Sequence, residues 1–273
     1  MLLIAPSLIF MTLLFAWPLV VGIGQALVGD DGFTAEHLRR MAGNRYFWEA
    51  ARNTALLVVV LIPAQFALAL AMALLVRARP RALGFHLYVW VVPLAVSDLA
   101  AGLVWLSIFT DRGYLNSVLD TLGLPVYSWL SYQHPTTVFL AVLIAELWRS
   151  TSLVFVIVVA GMQGIPRDYD EAAEVFGASY WQRVRHVILP QLVPSLQVAL
   201  VLRTILALET FAVARALTGR EFPLLVGETY EWYNNLRNPA VASAIALVIL
   251  LLSLLAAVGY LRLLRVRGAE SAR

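Results

Sequence analysis

Two residue types are missing from this chain altogether. There is no cysteine, which excludes disulfides, thiolate metal sites and cysteine nucleophiles together. There is no lysine either, so all 20 basic residues are arginine. A Walker A loop needs a lysine to reach the β- and γ-phosphates, and no GxxxxGK[ST] run occurs, so the chain is not itself a P-loop ATPase. Charge of either sign is scarce, at 14% of 273 residues, which is too little for an ordinary soluble domain. The histidines, His37, His86, His134 and His186, are scattered without the spacing of metal ligands, so a catalytic metal site finds no support.

What fills the sequence is apolar: 61% of residues are hydrophobic and the mean hydropathy is +0.79. The apolar residues come as long runs rather than as stripes of period 2 or 3.6, and runs of about 18 or more read as spanning helices. Six such stretches stand between polar breaks, from Leu2 to Val28, Asn53 to Val76, Leu83 to Thr110, Thr136 to Gly161, Leu192 to Leu217 and Ala240 to Leu263. Each is long enough, at about 1.5 Å per residue, to cross a hydrocarbon core of about 30 Å. The first has no basic lead-in and exceeds the apolar core of a signal peptide, so it reads as a span. Pro6, Pro18, Pro63 and Pro93 fall inside the stretches and predict kinks, which neighbouring helices make tolerable. The fold expected is an all-α membrane bundle of about six transmembrane helices. With no internal repeat, low-complexity tract or linker, residues 1–273 read as a single transmembrane domain.

An even number of spans puts both termini on one side, and the arginines select it. Arg77, Arg79, Arg81, Arg167, Arg183, Arg185, Arg262, Arg265, Arg267 and Arg273 lie on the side of the termini; Arg39, Arg40, Arg45, Arg52, Arg112, Arg220 and Arg237 lie on the other. By the positive-inside rule the termini and the 162–191 loop face the cytoplasm. The net charge of +3 is read as this topology signal, not as affinity for nucleic acid. Several of the tryptophans sit near span ends, where amphipathic rings favour the headgroup region.

Between the fourth and fifth stretches the chain reads GIPRDYDEAAEVFGASYWQRVRHVILPQLVPSL, too polar to span and too regular for a slack loop. Two short surface helices are predicted. Asp168 and Asp170 suit the positive end of the first helix dipole, and Ala172 and Ala173 are strong helix formers. Gly177 offers a joint, because glycine takes a positive φ without steric cost. The second helix would turn Tyr180, Trp181, Val184 and Val187 to an apolar side. Amphipathicity of this kind is generic, but the spacing is not. Glu171, Ala172 and Ala173, then Gly177, then Val187, Leu189 and Pro190 closely resemble the EAA loop of ABC importer permeases. The surrounding AGMQGIP, YDEAAEVFGAS and ILPQLVPSL resemble the binding-protein-dependent carbohydrate permeases of the maltose and glycerol-phosphate type. Fainter likenesses run along most of the chain: Arg52–Asn53–Thr54, Pro93, Trp105, Tyr114–Leu115–Asn116 and Leu217–Thr218–Gly219. Departures are Val187 for isoleucine, Phe176 where sugar permeases commonly carry aspartate, and Arg220–Glu221–Phe222–Pro223 where glycine and proline are usual.

The resemblance implies that this loop seats in a groove of a separate ATPase subunit, with Glu171, Ala172, Ala173, Gly177, Leu189 and Pro190 as the coupling residues. It also implies the partners: a second, non-identical permease, two ATP-binding subunits and an extracytoplasmic solute-binding protein. ATP and magnesium belong to the ATPase, so no cofactor is expected here. The place implied is a bacterial or archaeal cytoplasmic membrane, and the chain itself is expected to be non-catalytic.

Polar residues deep in a span are costly and mark transport paths. Counting from Pro135, Glu146 lies roughly 16 Å into the fourth stretch; counting from Pro194, Arg203 lies roughly 14 Å into the fifth. Both fall near mid-membrane. Arg149 lies three residues beyond Glu146 on the same face, beside Ser150, and Arg203, Ala207 and Thr210 share a face. By the resemblance, Glu146, Arg149, Ser150, Leu153, Arg203, Ala207 and Thr210 occupy the positions of the sugar pocket. Two readings stand open: these charges meet a charged or hydroxyl-rich solute, or they pair with one another as a structural lock. Asp98 and Glu209 read better as locally paired. Tyr230, Trp232, Tyr233, Asn234 and Asn235 offer aromatic faces and amides to a sugar or a delivering protein, or simply anchor the interface. The function expected is import of a small polar solute, a carbohydrate first, by alternating access driven by a separate ATPase. A sugar phosphate, polyamine or peptide permease, or an ion-coupled carrier using Asp98, Glu146 and Glu209, are the alternatives.

Overall fold

The computed structural model describes residues 4–29, 32–78 and 83–263. Of the arginines used for orientation, Arg79, Arg81, Arg265, Arg267 and Arg273 lie outside the described residues. The elements follow in order: α1 Ala5–Leu27, a two-residue hairpin pairing Val28–Gly29 with Gly32–Phe33, α2 Glu36–Ala42 and α3 Arg45–Arg77. Then come α4 Leu83–Val91, α5 Asp98–Phe109, α6 Tyr114–Thr121, α7 Pro135–Gln163 and α8 Asp168–Val175. The chain continues as α9 Tyr180–Leu208, α10 Ala212–Thr218, α11 Leu225–Tyr230 and α12 Pro239–Leu263.

Five helices, α1, α3, α7, α9 and α12, are each long and apolar enough to cross a membrane, and the bent pair Leu83–Ala95 with Asp98–Thr121, counted as one broken span, brings the number to six. The expected bundle of about six spans is therefore the architecture observed. Helix α3 starts where Asn44 accepts a hydrogen bond from the Tyr46 amide at 2.8 Å, an N-cap that satisfies one orphan donor. It packs along α7, and α9 and α12 close the bundle around them.

Helix α3 starts at Arg45, ahead of the expected Asn53, and two larger differences from the sequence reading reshape the bundle. The third stretch is broken rather than kinked. Pro93 removes a donor, a 3₁₀ turn runs over Val92–Ala95, Val96 is extended, and Ser97 caps the next helix at 3.2 Å, so the two halves meet at 106°. The fifth stretch ends early, at Leu208, and the apolar residues up to Leu217 form the separate helix α10. Their apolarity serves packing and not membrane crossing: Val213, Ala214 and Leu217 are buried in the core. Gly102 of α5 permits that close approach, since a Cβ there would lie 2.6 Å from the Ala216 Cβ.

Three apolar clusters form the core. One holds Leu57, Leu61 and Ile62 of α3 with Val138 and Val142 of α7 and Leu217 of α10. A second gathers Phe47, Ala50, Trp232 and Ile245. The third holds Ala69 and Ala73 of α3 with Val154, Phe155 and Val158 of α7 and Ile188 and Leu192 of α9. Along α3 and α7 the first and third clusters are separated by one polar layer, at Gln65 on α3 and at Glu146 and Ser150 on α7.

Candidate substrate path and coupling segment

That polar layer is a closed hydrogen-bonded quartet. Arg203 of α9 is only 2% exposed and Glu146 1%, so both charges are held away from lipid and water. The Arg203 Nε donates to Gln65 Oε1 at 2.9 Å, and its Nη2 donates to Glu146 Oε2 at 3.2 Å and to Ser150 Oγ at 2.9 Å. Gln65 Nε2 also donates to Ser150 Oγ, whose own proton goes to the Glu146 carbonyl one turn back. The hydroxyl thus gives one bond and takes two, its full capacity. Buried ions persist only when paired and hydrogen-bonded in this way.

The seven predicted path residues do not all meet. Glu146, Ser150 and Arg203 come together, whereas Arg149 turns to Asp98 of α5, with an Nη1 to Oδ1 distance of 2.7 Å and greater exposure. Ala207 is buried one turn beyond Arg203, Thr210 is buried just past the end of α9, and Leu153 is half-buried. Asp98 is paired, but with Arg149 of α7 rather than with a residue near it in the chain. Glu209 is not: it is exposed and makes no ion pair among the described residues. Gln65 escaped the sequence reading although it is the one amide inside the second stretch beyond its opening Asn53, which was the available signal.

At the end of α7 the chain turns through the predicted EAA segment. Helix α8 carries Asp168, Asp170 and Glu171 in its first turn, as the dipole favours. It ends where Gly177 adopts φ +82°, the left-handed joint expected of it. Glu171 and Ala172 are exposed and Ala173 is half-buried. The second surface helix is not separate. Ser179 and Gln182 form a capping box that starts α9 itself, and the chain runs on through a π turn at Val184–Ile188 into the span. Pro190 is the physical reason, because a proline without an amide, two residues after the wider turn, is accommodated by releasing i→i−4 pairing there. Of the predicted apolar side only Val184 is buried; Val187 is half-buried, and Tyr180 and Trp181 are exposed. Leu189 is half-buried and Pro190 exposed.

Since α9 crosses the bundle from the α8 end, residues 209–235 lie at the opposite end. There Trp232 is core, while Tyr230 and Tyr233 are exposed. Sequence reading missed Glu231, whose buried carboxylate is shared by Arg215 at 3.0 Å and Arg220 at 3.5 Å. Beside it a cavity of about 20 Å³ is lined by Phe211, Arg215, Arg220, Glu228 and Glu231. Burial pushes the Glu228 carboxyl above its ordinary value, with the Arg220 guanidinium opposing the shift.

Comparison with known proteins places this geometry. The family described as "Binding-protein-dependent transport system inner membrane component" matches residues 41–265. A sulfoquinovosyl glycerol transport system permease protein, SmoG of Agrobacterium fabrum, is 30% identical, covering 97% of this chain and 90% of that protein. The trehalose/maltose transport system permease protein MalF of Thermococcus litoralis is 32% identical over 84% of this chain and 78% of its own. Among solved structures, a bacterial alginate ABC transporter in complex with an alginate pentasaccharide-bound periplasmic protein gives a TM-score of 0.81 at 19% identity. That likeness covers 96% of this chain and 92% of the other, and it bears on the fold alone. The chain belongs to the binding-protein-dependent transport system inner membrane components, and is the membrane-spanning, non-catalytic permease subunit of an ATP-binding-cassette importer.

Proposed function

We propose that this permease imports a carbohydrate across a cytoplasmic membrane, with both termini and the α8 segment on the cytoplasmic side. The observation that carries the coupling role is the α8 geometry: Glu171 and Ala172 face outward on a short helix beside a glycine at φ +82°. An outward carboxylate can accept a charge-assisted bond from an arginine of an ATPase, and small neighbours allow close approach. Glu171, Ala172, Ala173, Gly177, Leu189 and Pro190 form this docking and coupling surface. Residues 1–273 act as one transmembrane domain, paired with a second permease, two ATP-binding subunits that hold the ATP and magnesium, and an extracytoplasmic binding protein. The carbohydrate assignment is supported by relatives named for sulfoquinovosyl glycerol and for trehalose and maltose.

Glu146, Arg149, Ser150, Leu153, Arg203, Ala207 and Thr210 border the substrate path on this reading, and the Arg203–Glu146 pair closes it between the two apolar clusters in the present conformation. Alternating access would open this layer to the solute in turn from each side. The test is purification of the chain with whatever nucleotide-hydrolysing subunit accompanies it, followed by sugar uptake into proteoliposomes with and without ATP. Uptake without any ATPase partner, driven by an ion gradient, would refute the ATP-coupled role.

A further inference from the structure

Helix α8 is the element an ATPase would push, yet none of its residues is buried, so apolar packing does not fix it to the bundle. Beside its approach lies a crevice of about 420 Å³, lined by Ala73, Val76, Arg77, Val159, Met162 and Arg167, and the last apolar anchor before the helix is Ile165, buried in the third cluster. Beyond Ile165, what ties α8 to the bundle is charge. Asp170 turns inward where its neighbour Glu171 turns outward, as adjacent residues about 100° apart on a helix must. The Asp170 Oδ2 lies 3.2 Å from the Nε of Arg77, the last residue of α3. Arg77 also donates to the Met162 carbonyl at the end of α7, at 3.3 Å. The other oxygen, Oδ1, lies 3.9 Å from the Nε of Arg183 in the first turn of α9, and Arg183 in turn pairs with Glu174, one turn along α8.

We infer that Asp170 is a positioning residue for coupling, the hub through which displacement of α8 reaches the ends of three spans, α3, α7 and α9, at once. The inference rests on the coupling role proposed for this segment. Isolated ion pairs at such exposure add little stability, so the role of the hub is directional: two oxygens of one carboxylate hold two arginines from different helices, and one of those arginines holds a third. A single contact would let α8 swivel about it. The Asp170–Arg77, Asp170–Arg183 and Glu174–Arg183 contacts together fix both its angle and its distance, and so convert a push on Glu171 into movement of the bundle.

The test uses the whole complex with its ATPase subunits and binding protein in proteoliposomes, comparing wild type, Asp170→Asn, Asp170→Glu, Arg77→Gln and Glu171→Ala. Solute taken up per ATP hydrolysed is measured together with amide hydrogen exchange over residues 168–176. Asp170→Asn and Arg77→Gln are expected to assemble, to hydrolyse ATP at the basal rate, to exchange α8 amides at least about 10-fold faster and to lose at least about 5-fold in uptake per ATP. Asp170→Glu is expected to recover most of both. Wild-type coupling in Asp170→Asn and Arg77→Gln overturns the inference, as does a defect that Asp170→Glu shares in full, which marks a packing role. If Glu171→Ala uncouples while those two variants do not, the hub alone fails. If Glu171→Ala also couples normally, the coupling role of the segment fails with it.

Discussion

Replacing Arg203 by methionine tests the polar layer most directly, because the two members of its ion pair are not equally served. Glu146 has one side-chain partner among the described residues, Arg203, whereas Arg203 has three: Gln65, Ser150 and Glu146. Arg203→Met keeps an unbranched apolar stem in place of the arginine's but removes the guanidinium and strands a carboxylate that is 1% exposed, and stranding one member of a buried pair costs about 3–5 kcal/mol. Glu146→Gln leaves Arg203 with two neutral acceptors and offers it a third in the new amide, so the loss there should be nearer to that of one charge-assisted bond, about 1.5–3 kcal/mol. The double variant has no stranded charge and should regain most of the stability lost in Arg203→Met, since replacing a buried pair by neutral groups is often close to neutral. Thermal unfolding of the purified complex in detergent reads this order: Arg203→Met lowest, Glu146→Gln intermediate, the double variant between it and wild type. An Arg203→Met protein as stable as wild type would refute the reasoning about the pair. Transport then separates lock from path. If these residues border the solute, the stable double variant should still import at least about 10-fold more slowly; wild-type import by that variant would leave the pair as a lock only.

Glu171→Ala should keep the bundle folded but lower binding-protein-stimulated ATP hydrolysis and uptake together, and Gly177→Ala should do so more mildly, since nothing lies within 4 Å of a Cβ there and the penalty is the left-handed backbone, about 1–2 kcal/mol; ATPase assays on the assembled complex decide both. Gly102→Ala places a methyl against Ala216 and within 3.1 Å of the Val213 carbonyl oxygen, so it should destabilise the α5–α10 contact by about 1–3 kcal/mol, whereas Gly84→Ala, with no neighbour in range, should not; thermal shifts of the two variants are the check. Glu228→Gln should stabilise the protein at neutral pH. The folded chain holds this carboxyl's proton more tightly than the unfolded chain does, so wild-type stability falls as pH rises above the unfolded value of about 4.5. The advantage of the glutamine variant should shrink to nothing near that pH and grow above it, and a gap that does not change with pH would remove burial as the cause.

How far the sequence reached depended on whether a residue's role was set by its own surroundings in the chain or by a distant helix. The spans were legible because twenty consecutive apolar residues have few places to go but lipid or core. The α8 helix and the Gly177 joint were legible because acidic residues, alanines and a glycine fix local geometry. The end of the fifth span was not, since Val213, Ala214 and Leu217 are as apolar as any membrane-facing residue, and the surface that receives them, at Gly102 of α5, lies more than a hundred positions earlier in the chain. The second surface helix failed for a related reason: a π turn ahead of Pro190 lets the helix run on into the span.

The polar layer shows the same division within one cluster. Depth counting brought Glu146 and Arg203 to one level because both sit on regular helices with a fixed rise per residue. Spacing on a single helix then joined Arg149 to Glu146, and here the third dimension intervened. A long arginine at i+3 chooses its partner from whatever neighbouring helix comes within reach, and the break at Pro93 starts α5 at Asp98, 2.7 Å from the Arg149 guanidinium. With the Arg149 Nη1 paired to Asp98 of α5, Glu146 takes its side-chain hydrogen bond from Arg203, and Gln65 and Ser150 complete the shell of the arginine on its remaining sides. The bend in the third span and the exclusiveness of the buried pair are therefore one fact of packing. A straight third span would remove the start of α5 that holds Asp98, free Arg149 to compete for Glu146, and loosen the layer on which alternating access is proposed to turn.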